Sequence, residues 1–267
     1  MLFIMTCHLK KRYGDMVQAP GLGRGDGMKF DNIFFINGTA YAGKSTMVKR
    51  LAEKYNGIAC EENYHDELLP GLDRDKFPCL SYTRDLQDWH DFIRRTPDEY
   101  EAWVKGVSKE CETLELHILN KLNAEGKMVF VDTNISIETL REISDNDHVL
   151  IMLADPDTSV NRFFERPDKE KQFLYRLLMD EDNPGLAMEN FRQCLKRVNS
   201  RAAYDFFLHS GFRVIIRDEN RSIEDTFALV EKELGLRVKL PPKMKHGKSG
   251  TGNPAAAASQ KTPSRAG

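Results

Sequence analysis

The most specific chemical signal in this sequence is a run of eight residues with two glycines, a lysine and a serine at fixed spacing, Gly38-Thr39-Ala40-Tyr41-Ala42-Gly43-Lys44-Ser45. Glycines let successive backbone N–H groups point at a phosphate, and a helix that starts at the lysine adds the positive end of its dipole. We expect Lys44 to contact the β- and γ-phosphates of ATP and Ser45 to give its hydroxyl to Mg²⁺. The predicted ATP-binding set is Gly38, Thr39, Ala40, Tyr41, Ala42, Gly43, Lys44, Ser45 and Thr46.

The segments on either side of this loop predict a strand before it and a helix after it. Ile33-Phe34-Phe35-Ile36 is a short apolar run typical of a buried strand. Residues 44 to 55 repeat apolar side chains at helical spacing and end at the stop signal Asn56-Gly57. Strand, loop and helix in this order are the context in which such a loop binds phosphate.

Further along the chain, short apolar runs alternate with segments of helical period. We expect four more strands, at Gly57–Cys60, Met128–Val131, Val149–Leu153 and Val214–Ile216. Ser222, with Asp225 three residues on, predicts the start of a last helix that stops near Gly235. This alternation predicts an α/β fold built around a five-stranded parallel sheet.

With these motifs the chain resembles the P-loop small-molecule kinases, a group that includes nucleoside monophosphate, shikimate and gluconate kinases and the polynucleotide kinase-like domains. The resemblance covers roughly residues 29–236, and its most specific part is the loop at 38–45. It implies a three-layer P-loop NTPase fold with an enlarged helical acceptor region and a lid. It also implies an ATP-dependent phosphotransferase that acts on a small-molecule acceptor.

The resemblance implies functional roles for acidic residues that follow the second and third strands. These kinases commonly place a carboxylate after the second strand, where this chain has Glu61, Glu62 and Asp66. Glu62 is our first choice for the base that accepts the acceptor's hydroxyl proton, and a solvated acidic turn is the alternative. Asp132 begins a stretch similar to the Asp-x-Thr-Asn of the polynucleotide kinase-like branch, and we expect it to hold a magnesium-bound water. The alternative for Asp132 is a helix N-cap.

Basic residues after the fourth strand are similar to the lid of these kinases, which we expect at about residues 155–180. Arg162 and Arg166 are four residues apart, so a continuous helix would place them on one face. Arginines in such a lid neutralise the charge that develops on the transferred phosphoryl group. The alternative is an exposed helix whose arginines pair with neighbouring acids.

The region at about 63–125 is long enough for an enlarged helical site for the acceptor. Its candidate residues are Tyr82, Arg84, Trp89, His90, Arg94, Arg95 and Trp103, with His65 before them. Arginine beside an aromatic ring can hold an anionic or planar molecule, but tryptophans on such helices also serve as core. Two further hypotheses stay open: a nucleoside monophosphate kinase in which Arg84 or Arg94 grips a phosphate, and a non-catalytic ATP-binding sensor or interaction module.

The ends of the chain differ in composition from its body. Residues 1–27 are glycine-rich without a strand or helix period, which predicts a flexible leader, and Met28 is a candidate functional start. Residues 241–267 carry five basic residues and no acid, and their composition predicts a disordered tail. We therefore expect one P-loop kinase-like domain at 28–240.

Charge and hydropathy limit the partners. The formal net charge is -2, and the basic tail makes the body more acidic than the whole, which disfavours duplex nucleic acid as a main partner. No apolar run is long enough to cross a bilayer and no secretory signal opens the chain, so we expect a cytoplasmic protein without a membrane partner. Five scattered cysteines predict mostly buried, reduced thiols. The acceptor and the oligomeric state stay open.

Overall fold

The computed structural model describes residues 29–165 and 169–236. The predicted leader at 1–27, the tail at 241–267 and Arg166 lie outside these residues. Five strands were expected, and five form one sheet: β1 (Ile33–Gly38), β2 (Ile58–Cys60), β3 (Val129–Asp132), β4 (Val149–Leu153) and β5 (Arg213–Ile216). Their order across the sheet is β2-β3-β1-β4-β5 and every pairing is parallel. The prediction of an α/β fold with a five-stranded parallel sheet is confirmed.

Helices connect the strands and cover both faces of the sheet. In the described residues they are α1 (Lys44–Tyr55), α2 (Pro78–Asp85), α3 (His90–Ile93), α4 (Pro97–Asn123), α5 (Ile137–Ile143), α6 (Pro156–Asn161), α7 (Lys169–Met179), α8 (Pro184–Val198), α9 (Arg201–Leu208) and α10 (Ile223–Glu233), with 3₁₀ turns at Tyr64–Gly71 and Phe163–Glu165. None of these helices is long and apolar enough to span a bilayer.

Alternate residues of the central strand β1 pack into two separate cores. Ile33 and Phe35 belong to a large core that also holds the buried faces of α4 and α8. Phe34 and Ile36 point to the other side, where α1 and α10 complete a smaller core. Because successive strand residues face opposite sides of a sheet, a fully apolar strand needs helices on both faces. The arrangement is compatible with the expected three-layer fold.

Local signals in the sequence explain where the longest helix begins. Thr96 caps α4 in a capping box with Glu99: each side chain bonds the other residue's backbone N–H. Pro97 occupies the first helical position, where its missing N–H costs no helical hydrogen bond. The last helix behaves similarly, because Ser222 Oγ accepts a hydrogen bond from Asp225 N. The predicted start of that helix is confirmed.

The lid segment differs from the expected continuous helix. We expected Arg162 and Arg166 on one helical face, but α6 ends at Asn161 and a 3₁₀ turn follows. The physical reason is the burial of Phe163, which is 5% exposed and packs edge-to-face against Phe191 of α8.

The cysteines within the described residues are reduced, as expected. Cys60, Cys111 and Cys194 are buried and Cys79 is half-buried.

Candidate functional site

The glycine-rich loop lies at the carboxyl end of β1, between β1 and α1. Gly38 has a φ of 128°, and a Cβ atom there would lie 2.0 Å from the carbonyl oxygen of Met152 in β4. Only glycine fits this approach. The next residue is tied to the end of β4, because Ala154 N donates a 2.7 Å hydrogen bond to Thr39 Oγ1. The start of the loop is therefore fixed to two neighbouring strands.

Helix α1 begins at this loop without a capping side chain. Its N-cap is Gly43, which has a φ of 92° and no side chain to bond the first-turn N–H groups, and the first turn contains no acid. Six other helices, by contrast, start with a side-chain cap: Thr96, Ser136, Asp155, Asn183, Ser200 and Ser222. Uncapped N–H groups at a helix start favour an anionic ligand.

Two residues of the first turn of α1 converge on one carboxylate, Asp132, at the end of β3. Ser45 Oγ donates a 2.6 Å hydrogen bond to Asp132 Oδ2, and Lys44 Nζ lies 3.6 Å from Asp132 Oδ1. Lys44 Nζ also donates to the carbonyl of Thr39 at 3.1 Å. Asp132 is only 4% exposed. Burial raises the pKa of its carboxyl, while Lys44 and Ser45 act in the opposite direction and Glu62 adds to the rise.

The three acids after β2 lie in different surroundings. Glu62 is exposed and lines a cavity together with Lys44 and Asp132. Glu61 instead forms a 2.8 Å ion pair with Lys49 on α1. Asp66 is three-quarters buried, and burial, with Glu170 and Glu62 nearby, raises its pKa to about 7. Of the three acids, Glu62 is the one that lines the cavity holding Lys44 and Asp132.

Two adjacent cavities that share lining residues lie at this edge of the sheet. The inner cavity has a volume of about 190 Å³ and lies between the loop, the end of β3, α4 and α9; it is lined by Lys44, Glu62, Ser108, Asp132 and Tyr204 among others. The outer groove has a volume of about 750 Å³ and continues along α4 past Lys105, Lys109 and Asn120 to Phe206. Gly38, Ser108, Asn134 and Phe207 line both.

The lid segment contacts the loop mainly through Tyr41. Its hydroxyl lies 3.1 Å from the carbonyl oxygen of Arg162, and the ammonium of Lys171 stands 5.3 Å from its ring centre. The guanidinium of Arg162 is half-exposed and pairs loosely with Glu165 and Glu219, at 3.8 Å each. Among the described residues of this segment, Lys171 lies beside the loop and lines a small cavity of about 140 Å³ with Tyr41 and Glu62.

Most candidate residues of the acceptor region have structural partners instead. Arg84 donates to the carbonyls of Leu69 and Leu72 and pairs with Asp85, while His90 and Arg94 both bind Glu181. Trp103 belongs to the large hydrophobic core, and the partly buried Trp89 packs against that core. Arg95 lies over the rings of Tyr82, Phe92 and Trp103. His65 is fully buried and is not among the residues that line the cavities described above.

Sequence reasoning missed Glu115, which holds the chain just after Asp132. Glu115 Oε2 accepts a 2.6 Å hydrogen bond from Thr133 Oγ1, and its carboxylate also accepts bonds from the backbone and side chain of Asn134. The side chain is fully buried on α4, and burial raises its pKa to about 7. The sequence does contain a sign of this buried acid, because Glu115 interrupts the apolar helix face formed by Cys111, Leu114 and Ile118.

The residues of α9 that line the cavities were also not predicted from the sequence. Tyr204 and Phe207 reach the inner cavity from a helix about 70 residues after Asp132. Neither belongs to a motif, and their apolar character alone predicts only a buried helix face.

Ser45 and Asp132, the predicted metal-binding residues, both offer oxygen atoms as ligands. A hydroxyl and a carboxylate are the kind of donors that Mg²⁺ prefers, and the two side chains touch at 2.6 Å. Within residues 29–165 and 169–236, no group of three or more His, Cys, Asp or Glu side chains is placed to hold a metal ion.

Comparisons with protein-family models and with curated proteins returned no match.

Proposed function

We propose that this protein is an ATP-dependent phosphotransferase of the P-loop kinase type, acting on a small-molecule acceptor in the cytoplasm. The observation that carries the proposal is the convergence of Lys44 and Ser45 on the buried Asp132, beside a cavity that Glu62 also lines. Lysine and hydroxyl at the start of an uncapped helix, next to a strand-end carboxylate, are the groups that hold a nucleotide's phosphates and metal.

Each residue has a definite role in the proposed reaction. The backbone of residues 38–46 and Lys44 bind and orient the phosphates of ATP. Glu62 accepts the proton of the acceptor hydroxyl, whose oxygen forms a bond to the γ-phosphorus as the bond to the β–γ bridging oxygen breaks and ADP leaves. Ser45, through its hydroxyl, and Asp132, through a metal-bound water, would hold Mg²⁺, which would supply positive charge to neutralise the phosphates. Arg162 and Arg166, the second of which lies outside the described residues, keep the expected role of neutralising charge on the transferred phosphoryl group.

The nucleoside monophosphate hypothesis loses its main support. It depended on Arg84 or Arg94 gripping a phosphate, and both guanidiniums are bound to acids or carbonyls elsewhere. The non-catalytic sensor hypothesis differs from phosphotransfer only in turnover, so the same experiment separates the two.

Transfer of label from γ-labelled ATP to pooled hydroxyl acceptors tests the proposal. We expect a labelled product with the wild-type protein and a loss on the order of 100-fold or more with Lys44→Ala, because one charged contact to the transferring phosphoryl group is removed. Binding of ATP without transfer to any pool would support the sensor instead. Equal transfer by wild type and variant would contradict the assignment of the loop.

A further inference from the structure

The inner cavity has few charges with which to hold an acceptor. Its charged lining residues are Lys44, Glu62 and Asp132. Lys44 is already within 3.6 Å of Asp132 and serves the donor's phosphates in the proposed reaction. The two carboxylates would repel any second anion, because like charges in a partly buried site are unfavourable. Among the described residues that line it, the inner cavity therefore has no cation besides Lys44 for a phosphate or carboxylate on the acceptor.

The outer groove is electrically balanced. Its charged lining residues are two lysines, Lys105 and Lys109, and two acids, Glu112 and Glu138. Lys105 forms a 2.8 Å ion pair with Glu101, and its side chain is 73% exposed at the rim. Neither cavity is lined by an arginine from the described part of the chain. The bidentate recognition that anions usually receive is absent from these walls.

Uncharged polar groups and aromatic rings make up much of the remaining lining. Hydroxyl and amide side chains line the two cavities, at Ser108, Thr113, Asn120, Asn134 and Ser136. Ser108 Oγ donates to the carbonyl of Val104, and its oxygen retains lone pairs that can accept from a ligand hydroxyl. Tyr204, Phe206 and Phe207 supply aromatic surface from α9, and Phe206 is 52% exposed.

The geometry points to an uncharged ring compound with hydroxyl groups, such as a sugar, cyclitol or nucleoside, as the acceptor that occupies the inner cavity and outer groove. This assignment rests on the proposed phosphotransfer. The reacting hydroxyl lies toward Glu62 and Lys44, the ring contacts Phe207 and Phe206, and the other hydroxyls bond the serine and asparagine side chains. Glu62 takes the proton, the hydroxyl oxygen bonds to the γ-phosphorus, and ADP leaves.

Matched pairs of acceptors that differ by one phosphate test the charge of the acceptor. We would compare ribose, inositol, adenosine and cytidine with their monophosphates, measuring kcat/KM for transfer from ATP. At least one uncharged member should react, with kcat/KM about ten-fold or more above that of its monophosphate, since a phosphate would meet the carboxylates of Glu62 and Asp132 in the inner cavity and, in the outer groove, two lysines balanced by two acids. A monophosphate that reacts as well as its uncharged partner, or failure of every uncharged member, overturns the assignment.

Variants of the groove test its location. Phe206→Ala should raise the acceptor's KM about three- to ten-fold by removing an aromatic contact, with the KM for ATP unchanged. Its control is Leu186→Ala, an apolar side chain on α8 that is 67% exposed. Ser108→Trp should fill the cavity and abolish transfer while ATP binding persists. Its control is Lys121→Trp, at an exposed position on the same helix.

The outcomes separate the two proposals. If both groove variants transfer as the wild type does while Lys44→Ala is inactive, the acceptor site is elsewhere and the proposed function stands. If Lys44→Ala binds and uses ATP normally, the proposed function falls and the acceptor assignment with it.

Discussion

At the scale of single residues, Glu61 and Glu62 are neighbours in the sequence with different surroundings. The carboxylate of Glu61 is bound to Lys49, whereas Glu62 lines the cavity beside Lys44 and Asp132. The negative charge of Glu62 contributes to the raised pKa of the Asp132 carboxyl, as expected for a glutamate on the same cavity. The adjacent acids therefore form a natural pair of test and control.

We predict that Glu62→Gln lowers kcat by about 100-fold or more and leaves the dissociation constant of ATP unchanged, because the amide cannot accept a proton in the transition state. Glu61→Gln should retain nearly full activity. Steady-state kinetics and ATP titration of the two variants check this. Equal losses in the two variants would remove Glu62 from the base role.

At the scale of elements, α4 carries a buried acid that holds the turn after β3. The Glu115 carboxylate accepts bonds from Thr133 and Asn134, and His65 Nδ1 lies 3.7 Å from Glu115 Oε1. His65 is kept neutral, because burial lowers its pKa to about 4. Glu115 thus joins α4 to the residues that immediately follow Asp132.

Glu115→Gln should change how stability depends on pH. The pKa of Glu115 is raised from 4.5 to about 7 in the folded protein, so between these values the folded state retains a proton that the unfolded state has lost. Its contribution to the free energy of unfolding therefore falls as pH rises through this interval. Relative to wild type, the variant should gain on the order of 2 kcal/mol over the interval.

Urea unfolding of both proteins at several pH values between 4.5 and 7 measures this difference. Asp66 titrates in the same range in both proteins, so its contribution cancels in the comparison. Parallel stability curves for wild type and Glu115→Gln would contradict the raised pKa.

Regular elements could be predicted from the sequence where a local pattern dominated. The strand Val149–Leu153 is a continuous apolar run, and all five of its residues are buried. The conformation of the segment around Arg162 was harder to predict from the sequence. Its local pattern favours a continuous helix, but Phe163 is buried against a helix nearly 30 residues later in the chain. Tertiary packing decided the end of α6, and no local signal at Asn161 marks it.

At the scale of the whole molecule, the strand order brings the site together. β1 lies between β3 and β4, so its carboxyl end meets Asp132 on one side and Met152 on the other. The chain places β2 and β3 on one side of β1 and β4 and β5 on the other, and open parallel sheets bind ligands in the crevice where the strand order switches sides. The position of the glycine-rich loop beside a strand-end acid could be predicted from that rule.

The inner cavity, which we propose as the acceptor's site, could not be predicted in the same way. Ser108, Asn134 and Phe207 come from three segments spread over about 100 residues, and they meet only after α4 and α9 have packed at the carboxyl edge of the sheet. Similarly, the sequence does not reveal that Arg84 and Arg94 pair away from the site. Such side-chain partners depend on packing between distant helices.

Binding of ATP with Mg²⁺, measured by calorimetry on the full chain, tests the central claim most directly. Lys44→Ala is the test variant, and Lys49→Ala is the control, because Lys49 lies on the same helix and pairs with Glu61 at the surface. We predict one ATP site in the wild type and in Lys49→Ala, with affinity about 10-fold or more weaker in Lys44→Ala, since a charged hydrogen bond to phosphate is lost. No ATP binding by the wild type, or equal losses in the two variants, would contradict the account.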